Sequence, residues 1–237
     1  MNNDTFQMKT LGLIGGMSWE STVPYYQQIN QTVKTQLGGL HSAKLILYSV
    51  DFAEVEHLQA TGQWAAAGEL LADVAKKLEG AGADALVLCT NTMHKVADVI
   101  TAAVHIPLLH IADPTALAIQ QAGLKKVGLL GTRFTMEQDF YRSRLEQRHG
   151  LTVLTPPQVD RDLVHQIIYE ELCLGQVRDA SRQAYRRVIS DLQTQGAQAI
   201  ILGCTEISLL VQAHDSDLPL FDTTALHARS AALWALA

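Results

Sequence analysis

Short unbroken apolar runs alternate along this chain with longer stretches in which apolar residues recur every three or four positions. The runs at 10–14, 45–50, 85–88, 108–111, 127–130, 152–154, 199–202 and 218–221 are rich in Val, Ile and Leu. That is the pattern of parallel strands covered on both faces. The periodic stretches predict helices near 21–36, 64–79, 93–103, 115–122, 135–148, 162–174, 179–195 and 226–236, with Gly80, Gly123, Gly150 and Gly196 as stops after several of them. The alternation predicts an α/β fold with parallel sheets and right-handed crossovers. In such folds ligands gather at the carboxyl ends of the strands.

The chain also repeats itself. Lys9-Thr-Leu-Gly-Leu-Ile-Gly15 parallels Lys125-Lys-Val-Gly-Leu-Leu-Gly131. Gly82-Ala-Asp-Ala-Leu-Val-Leu-Cys-Thr90 parallels Gly196-Ala-Gln-Ala-Ile-Ile-Leu-Gly-Cys204, and Ile106-Pro-Leu parallels Leu218-Pro-Leu, all at offsets of about 112–116 residues. α/β proteins reuse strand patterns, but three matches in one order predict a duplication. The expected fold is two similar domains, each a roughly four-stranded parallel sheet flanked by helices, related by a pseudo-two-fold axis with the active site between them. The duplication superposes Thr90 on Cys204 and Cys89 on Gly203. Two side chains at equivalent strand ends, pointing into one cleft from opposite sides, suit a two-base racemisation: one group removes a proton and the other delivers one to the opposite face.

Composition narrows the class. Of 237 residues 48% are apolar, enough for a sizeable core. The net charge of −6 and the lack of a basic run exclude a nucleic-acid surface. No apolar run reaches the roughly 18 residues of a membrane helix. The leader, residues 1–7, is polar and does not read as a signal peptide. Three widely spaced cysteines, Cys89, Cys173 and Cys204, predict reduced thiols in the cytoplasm and no zinc site.

Gly12-Leu-Ile-Gly-Gly-Met17, Leu88-Cys-Thr-Asn-Thr-Met-His94 and Gly203-Cys-Thr-Glu206 resemble motifs of the aspartate/glutamate racemase family, and the resemblance runs from about Lys9 to the C-terminus. It implies two domains, no pyridoxal phosphate and no metal, a small amino-acid substrate and commonly a homodimer. It also implies that the last strand and helix return to the N-terminal domain, giving domains of 8–104 plus 214–237 and of 105–213. The family usually has a cysteine where this chain has Thr90, and a Thr/Cys subgroup is the part of the family it looks most like. Members that bind acidic side chains often use basic residues where this chain has Glu56 and Cys173. Neutral substrates such as homoserine therefore join aspartate and glutamate as expected substrates. A dicarboxylate isomerase or decarboxylase of the same superfamily, and a non-catalytic amino-acid-binding relative, are the competing functions.

Residue by residue, Cys204 and Thr90 are the expected catalytic pair. A helix start after Cys204 would favour its thiolate, whereas Thr90 is a very weak acid that can only relay a proton. Asn91, Thr92 and Thr205 are expected to hold the substrate carboxylate at helix starts, although simple capping needs the same residue types; Met93 is grouped with them. Glu206 either accepts from the substrate ammonium or favours a helix start. Met17 lines the pocket or packs in the core. Gln59, on a polar loop before the helix at 64, is assigned to the substrate side chain. His94 either tunes the site or is structural. Lys95 sits in no cofactor motif, Cys89 and Cys173 are expected to be inert, and Arg186 and Arg187 to form a solvated helix face.

Overall fold

The computed structural model describes residues 7–237; the polar leader lies outside them except for Gln7. In chain order the elements are β1 Leu11–Gly15, α1 Trp19–Leu37, β2 Leu45–Ser49, α2 Phe52–Ala60, α3 Trp64–Gly80, β3 Ala85–Leu88, α4 Ala97–Ala102, β4 Leu108–Leu109 and α5 Ala112–Gln121. There follow β5 Lys126–Gly131, α6 Arg133–Glu137, α7 Asp139–Ser143, β6 Thr152–Leu154, α8 Gln158–Glu170, α9 Asp179–Thr194, β7 Ala199–Gly203, α10 Ile207–Leu210, β8 Leu220–Asp222 and α11 Thr223–Leu236.

The chain forms two compact units. One holds the chain up to Cys89, Val96–Leu109 and Ala228–Ala237; the other holds Thr90–Lys95 and His110–His227. The first unit carries a parallel sheet in the order β2-β1-β3-β4, with Leu13 facing both Leu47 and Val87. Its strands β1 and β3 are buried at every position, which is why they lack polar residues. Tyr25, Ile29 and Val33 of α1 and Ala228, Ala231, Ala232 and Ala235 of α11 pack with Leu11 and Leu13 in the core. Ser18 caps α1, its hydroxyl accepting from the Ser21 N–H. Just after β1, Gly16 has φ +90°, and a Cβ there would strike the Val50 carbonyl.

The second unit repeats the plan. Its sheet runs β6-β5-β7-β8, all parallel, with Leu129 opposite Ile201 and Gly131 opposite Gly203. The same strand order in both sheets is the structural counterpart of the sequence repeat.

The differences from expectation have local causes. The last strand, β8, pairs with β7 in the second sheet; of the C-terminal segment 214–237, only Ala228–Ala237 belongs to the first unit. Residues 90–95, assigned by sequence to the first domain, belong to the second unit. Helix α2 was not predicted. Asp51 caps it by accepting from the Ala53 N–H, and Gln59 lies on it, 4% exposed, rather than on a loop. The helix expected at 135–148 is broken at the extended Gln138 (φ −91°, ψ 149°) and ends in a π-turn at 144–148. The helix expected at 93–103 begins as a 3₁₀ turn at Thr92–Val96. Cys173 lies in a 3₁₀ turn after α8 rather than inside it. Arg186 and Arg187 are not a free solvated face. Arg186 Nε donates to the buried Asp215 at 2.7 Å, and Arg187 pairs with Asp160 of α8. Among the described residues no helix is long and apolar enough to cross a membrane.

Candidate active site

Strand β7 is buried throughout and ends at Gly203, so the next three residues emerge at the carboxyl edge of the second sheet. All three, Cys204, Thr205 and Glu206, are buried. The Cys204 thiol donates to Glu206 Oε2 at 2.9 Å, and the Thr205 hydroxyl donates to the same oxygen at 2.7 Å. Burial first, and then the Glu206 charge, push the Cys204 thiol well above the ordinary cysteine range. A thiolate favoured by a helix start is therefore not what the structure contains. Helix α10 has four residues and begins three positions after Cys204, too short to offset an adjacent carboxylate. The resting group is a thiol with a proton acceptor already bonded to it.

The matching strand of the first sheet, β3, ends at Leu88. Cys89 stays in the core, its thiol against the Val87 carbonyl at 3.6 Å, and burial pushes it far up. Thr90 begins the segment that joins the second unit. Its carbonyl is held by His94 Nδ1 at 2.8 Å, while the Ile111 N–H donates to His94 Nε2 at 3.2 Å. Because Nε2 accepts, Nδ1 carries the proton and donates. His94 is thus a neutral clamp on the Thr90 backbone. Burial holds its pKa well below the usual value, and the neighbouring His110, 4.3 Å away between ring centroids, is pushed down to about 2, by burial first and Arg144 second.

The next residues are polar and buried. Asn91 Nδ2 donates to the Thr223 hydroxyl at 3.0 Å, and that hydroxyl donates to the Leu202 carbonyl of β7 at 2.8 Å. Asn91 Oδ1 is buried with no partner. The Thr92 and Thr132 hydroxyls lie 2.9 Å apart, and Thr132 also caps α6. Met93 is fully buried.

Of the residues singled out in the sequence, Thr90, Asn91, Thr92, Met93, Cys204 and Thr205 fall in the second unit, whereas Met17 and Gln59 fall in the first, both buried. Thr205 spends its hydroxyl on Glu206 rather than leaving it open to a carboxylate. The sequence reading passed over Thr132 and Thr223, and left Glu206 as a weak neighbour. The repeat held a signal for both threonines: its offsets align Thr132 with Gly16, and Thr223 with Ile111, the residue whose N–H fixes His94. Among the described residues no group of three or more His, Cys, Asp or Glu side chains is arranged to hold a metal ion.

Two parallel sheets of one topology, with a carboxylate-bonded cysteine after one inner strand and Thr-Asn-Thr after its counterpart, define a duplicated α/β protein with paired polar strand ends. The model of the Asp/Glu/Hydantoin racemase family matches residues 14–231, and the chain belongs to that family. A Yersinia pestis structure, described by inference as an Asp/Glu racemase, is 64% identical, with a TM-score of 0.90, over 97% of this chain and 100% of that one. An aspartate racemase homologue from Pyrococcus horikoshii OT3 is 33% identical, with a TM-score of 0.82, over 96% and 99%. The broad specificity amino-acid racemase RacX of Bacillus subtilis (strain 168) is 25% identical over 228 residues, which is 93% of this chain and 95% of RacX.

Proposed function

We propose that this protein is a cofactor-independent amino-acid racemase that interconverts L- and D-enantiomers by two-sided proton transfer at Cα. The observation that carries the proposal is the Cys204 thiol bonded to the buried Glu206 carboxylate. Glu206 takes the thiol proton as substrate enters. The thiolate removes the α-proton from one face, and the Thr90 hydroxyl supplies a proton to the other. Water returns a proton to Thr90, the hydroxide so formed takes the α-proton from Cys204, and Glu206 hands its proton back to the thiolate as product leaves, so the cycle closes on the resting thiol and carboxylate. Asn91, Thr92 and Met93 line the substrate with Thr205 behind Cys204, and Met17 and Gln59 are proposed to reach its side chain.

Substrate breadth follows from the side chains at two positions. Glu56 and Cys173 offer no cation to a second carboxylate, and Cys173 packs against the core cluster that includes Cys204. Neutral amino acids such as homoserine are therefore proposed beside aspartate and glutamate. A cytoplasmic homodimer is proposed with them.

The test is a screen of the common L- and D-amino acids by chiral chromatography, with no cofactor added, on the wild type and Cys204→Ala. Inversion is expected in the wild type and a loss of about 10²–10⁴-fold in the variant, the usual contribution of a positioned acid–base group. Turnover of maleate or malonates without amino-acid inversion would favour the isomerase or decarboxylase alternative. Binding without any turnover would favour the non-catalytic relative. Activity appearing only with pyridoxal phosphate would overturn the mechanism.

A further inference from the structure

We propose that Thr223 is a positioning residue that fixes the polarity of the Asn91 amide, so that its carbonyl oxygen is the acceptor for the substrate's ammonium group. This rests on the amino-acid substrate proposed above. The polarity follows from hydrogen-bond logic. The Leu202 carbonyl can only accept, so the Thr223 hydroxyl must spend its single proton on it. The hydroxyl then has only lone pairs to offer Asn91, and a lone pair selects Nδ2, the donor end of the amide. Oδ1 is left on the opposite side.

That oxygen is buried and without a partner among the described residues. Buried acceptors are rarely left unpaired, and one that is unpaired calls for an explanation. A ligand N–H supplies one. An ammonium is the group of an amino acid that carries several donors and no acceptor, so it matches an acceptor aimed by its neighbour. The anchor lies on β7 two residues before Cys204 and on the first residue of α11. The hydroxyl therefore ties the orientation of Asn91 to the strand that presents the thiol.

Thr223→Val keeps the shape and removes both bonds; Thr223→Ser keeps the hydroxyl. With the lock removed, the amide is free to turn its NH₂ toward the ammonium. For Thr223→Val, KM for L-homoserine is expected to rise about tenfold, with kcat changed less than about threefold; this is the weight of one hydrogen bond to a charged group. Thr223→Ser should match the wild type. Calorimetric binding of L-homoserine and of its 2-hydroxy analogue supplies a readout that needs no turnover. The wild type should prefer the amine, and the valine variant should lose that preference while melting near the wild-type temperature. If the valine variant melts early, Thr223→Ala is measured in its place.

The two proposals fail separately. An unchanged KM and unchanged amine preference in an enzyme that racemises overturns the role of Thr223 alone. Equal impairment of the serine and valine variants also overturns it, because it marks a purely structural residue. Absence of racemisation, with amine preference still dependent on the Thr223 hydroxyl, overturns the racemase function and leaves the positioning role standing.

Discussion

A thiol and a carboxylate share one proton at the end of β7, and the pH dependence of the reaction should report it. Glu206 raises the Cys204 pKa through its charge and accepts the thiol proton at 2.9 Å. These effects oppose one another in rate: a higher thiol pKa lowers the thiolate population, while a bonded acceptor removes the proton on demand. Wild-type kcat/KM should therefore climb on the alkaline side, with an apparent pKa above that of a free cysteine. In Glu206→Gln the like charge is gone, so the Cys204 pKa falls and the limb moves to lower pH. The acceptor is gone too, so the plateau should drop, by about 10²-fold at the lower end for a general base. Superimposable pH–rate profiles for the two proteins would show that Glu206 does neither. The equivalent positions of Cys204 and Thr90, each just past an inner strand, were legible in the sequence because the repeat superposes them. The hydrogen bond from Cys204 to Glu206 was not. Sequence adjacency carries no information on side-chain direction, and a helix-dipole argument gave the shift the wrong sign, since it counted a four-residue helix and ignored a neighbouring charge.

Elements place these groups by close backbone approach. Gly131 ends β5 directly opposite Gly203, the residue before Cys204. A Cβ at Gly131 would lie 2.7 Å from the Gly203 carbonyl oxygen, a backbone atom that cannot swing aside. Gly131→Ala should force β5 and β7 apart, costing about 1–3 kcal/mol in urea unfolding and lowering the racemisation rate, because the displaced strand carries Cys204. A variant as stable and as active as the wild type would mean that the strands tolerate the extra methyl. At this scale, strands were the most legible elements. β3 and β6 fall where the apolar runs predict, and β3, buried at every position, has no polar face to blur its ends. Short helices were the least legible. The run at 52–60 carries only Val55 and Gln59 as buried residues and so shows no apolar stripe, and the break at Gln138 has no Gly or Pro to announce it.

At the scale of the whole molecule, histidines held neutral by the fold weaken it as pH falls. His94, His110 and His165 all have folded-state pKa values below the ordinary 6.5, lowered first by burial, that of His110 to about 2. Well above pH 6.5 all three are neutral, folded or unfolded, and they cost nothing. Below 6.5 the unfolded chain takes up protons that the folded chain binds only at lower pH, so stability is lost as pH falls; Asp222, its pKa raised by burial, acts in the opposite sense. Each proton bound only in the unfolded state corresponds to a slope of about 1.4 kcal/mol per pH unit. Asp113, bonded to Arg144, has a lowered pKa and adds loss of the same sign only below its own ordinary value of 3.8. Between pH 5.5 and 4.5 the histidines should therefore dominate. His110 Nδ1 accepts from the Ala112 N–H at 3.2 Å, and an asparagine oxygen can take that bond without titrating. His110→Asn should accordingly keep its stability at pH 7.5 and lose about 1.4 kcal/mol per pH unit of the acid slope in urea titrations at pH 5.5, 5.0 and 4.5. A slope equal to the wild type's would assign the acid sensitivity to other groups.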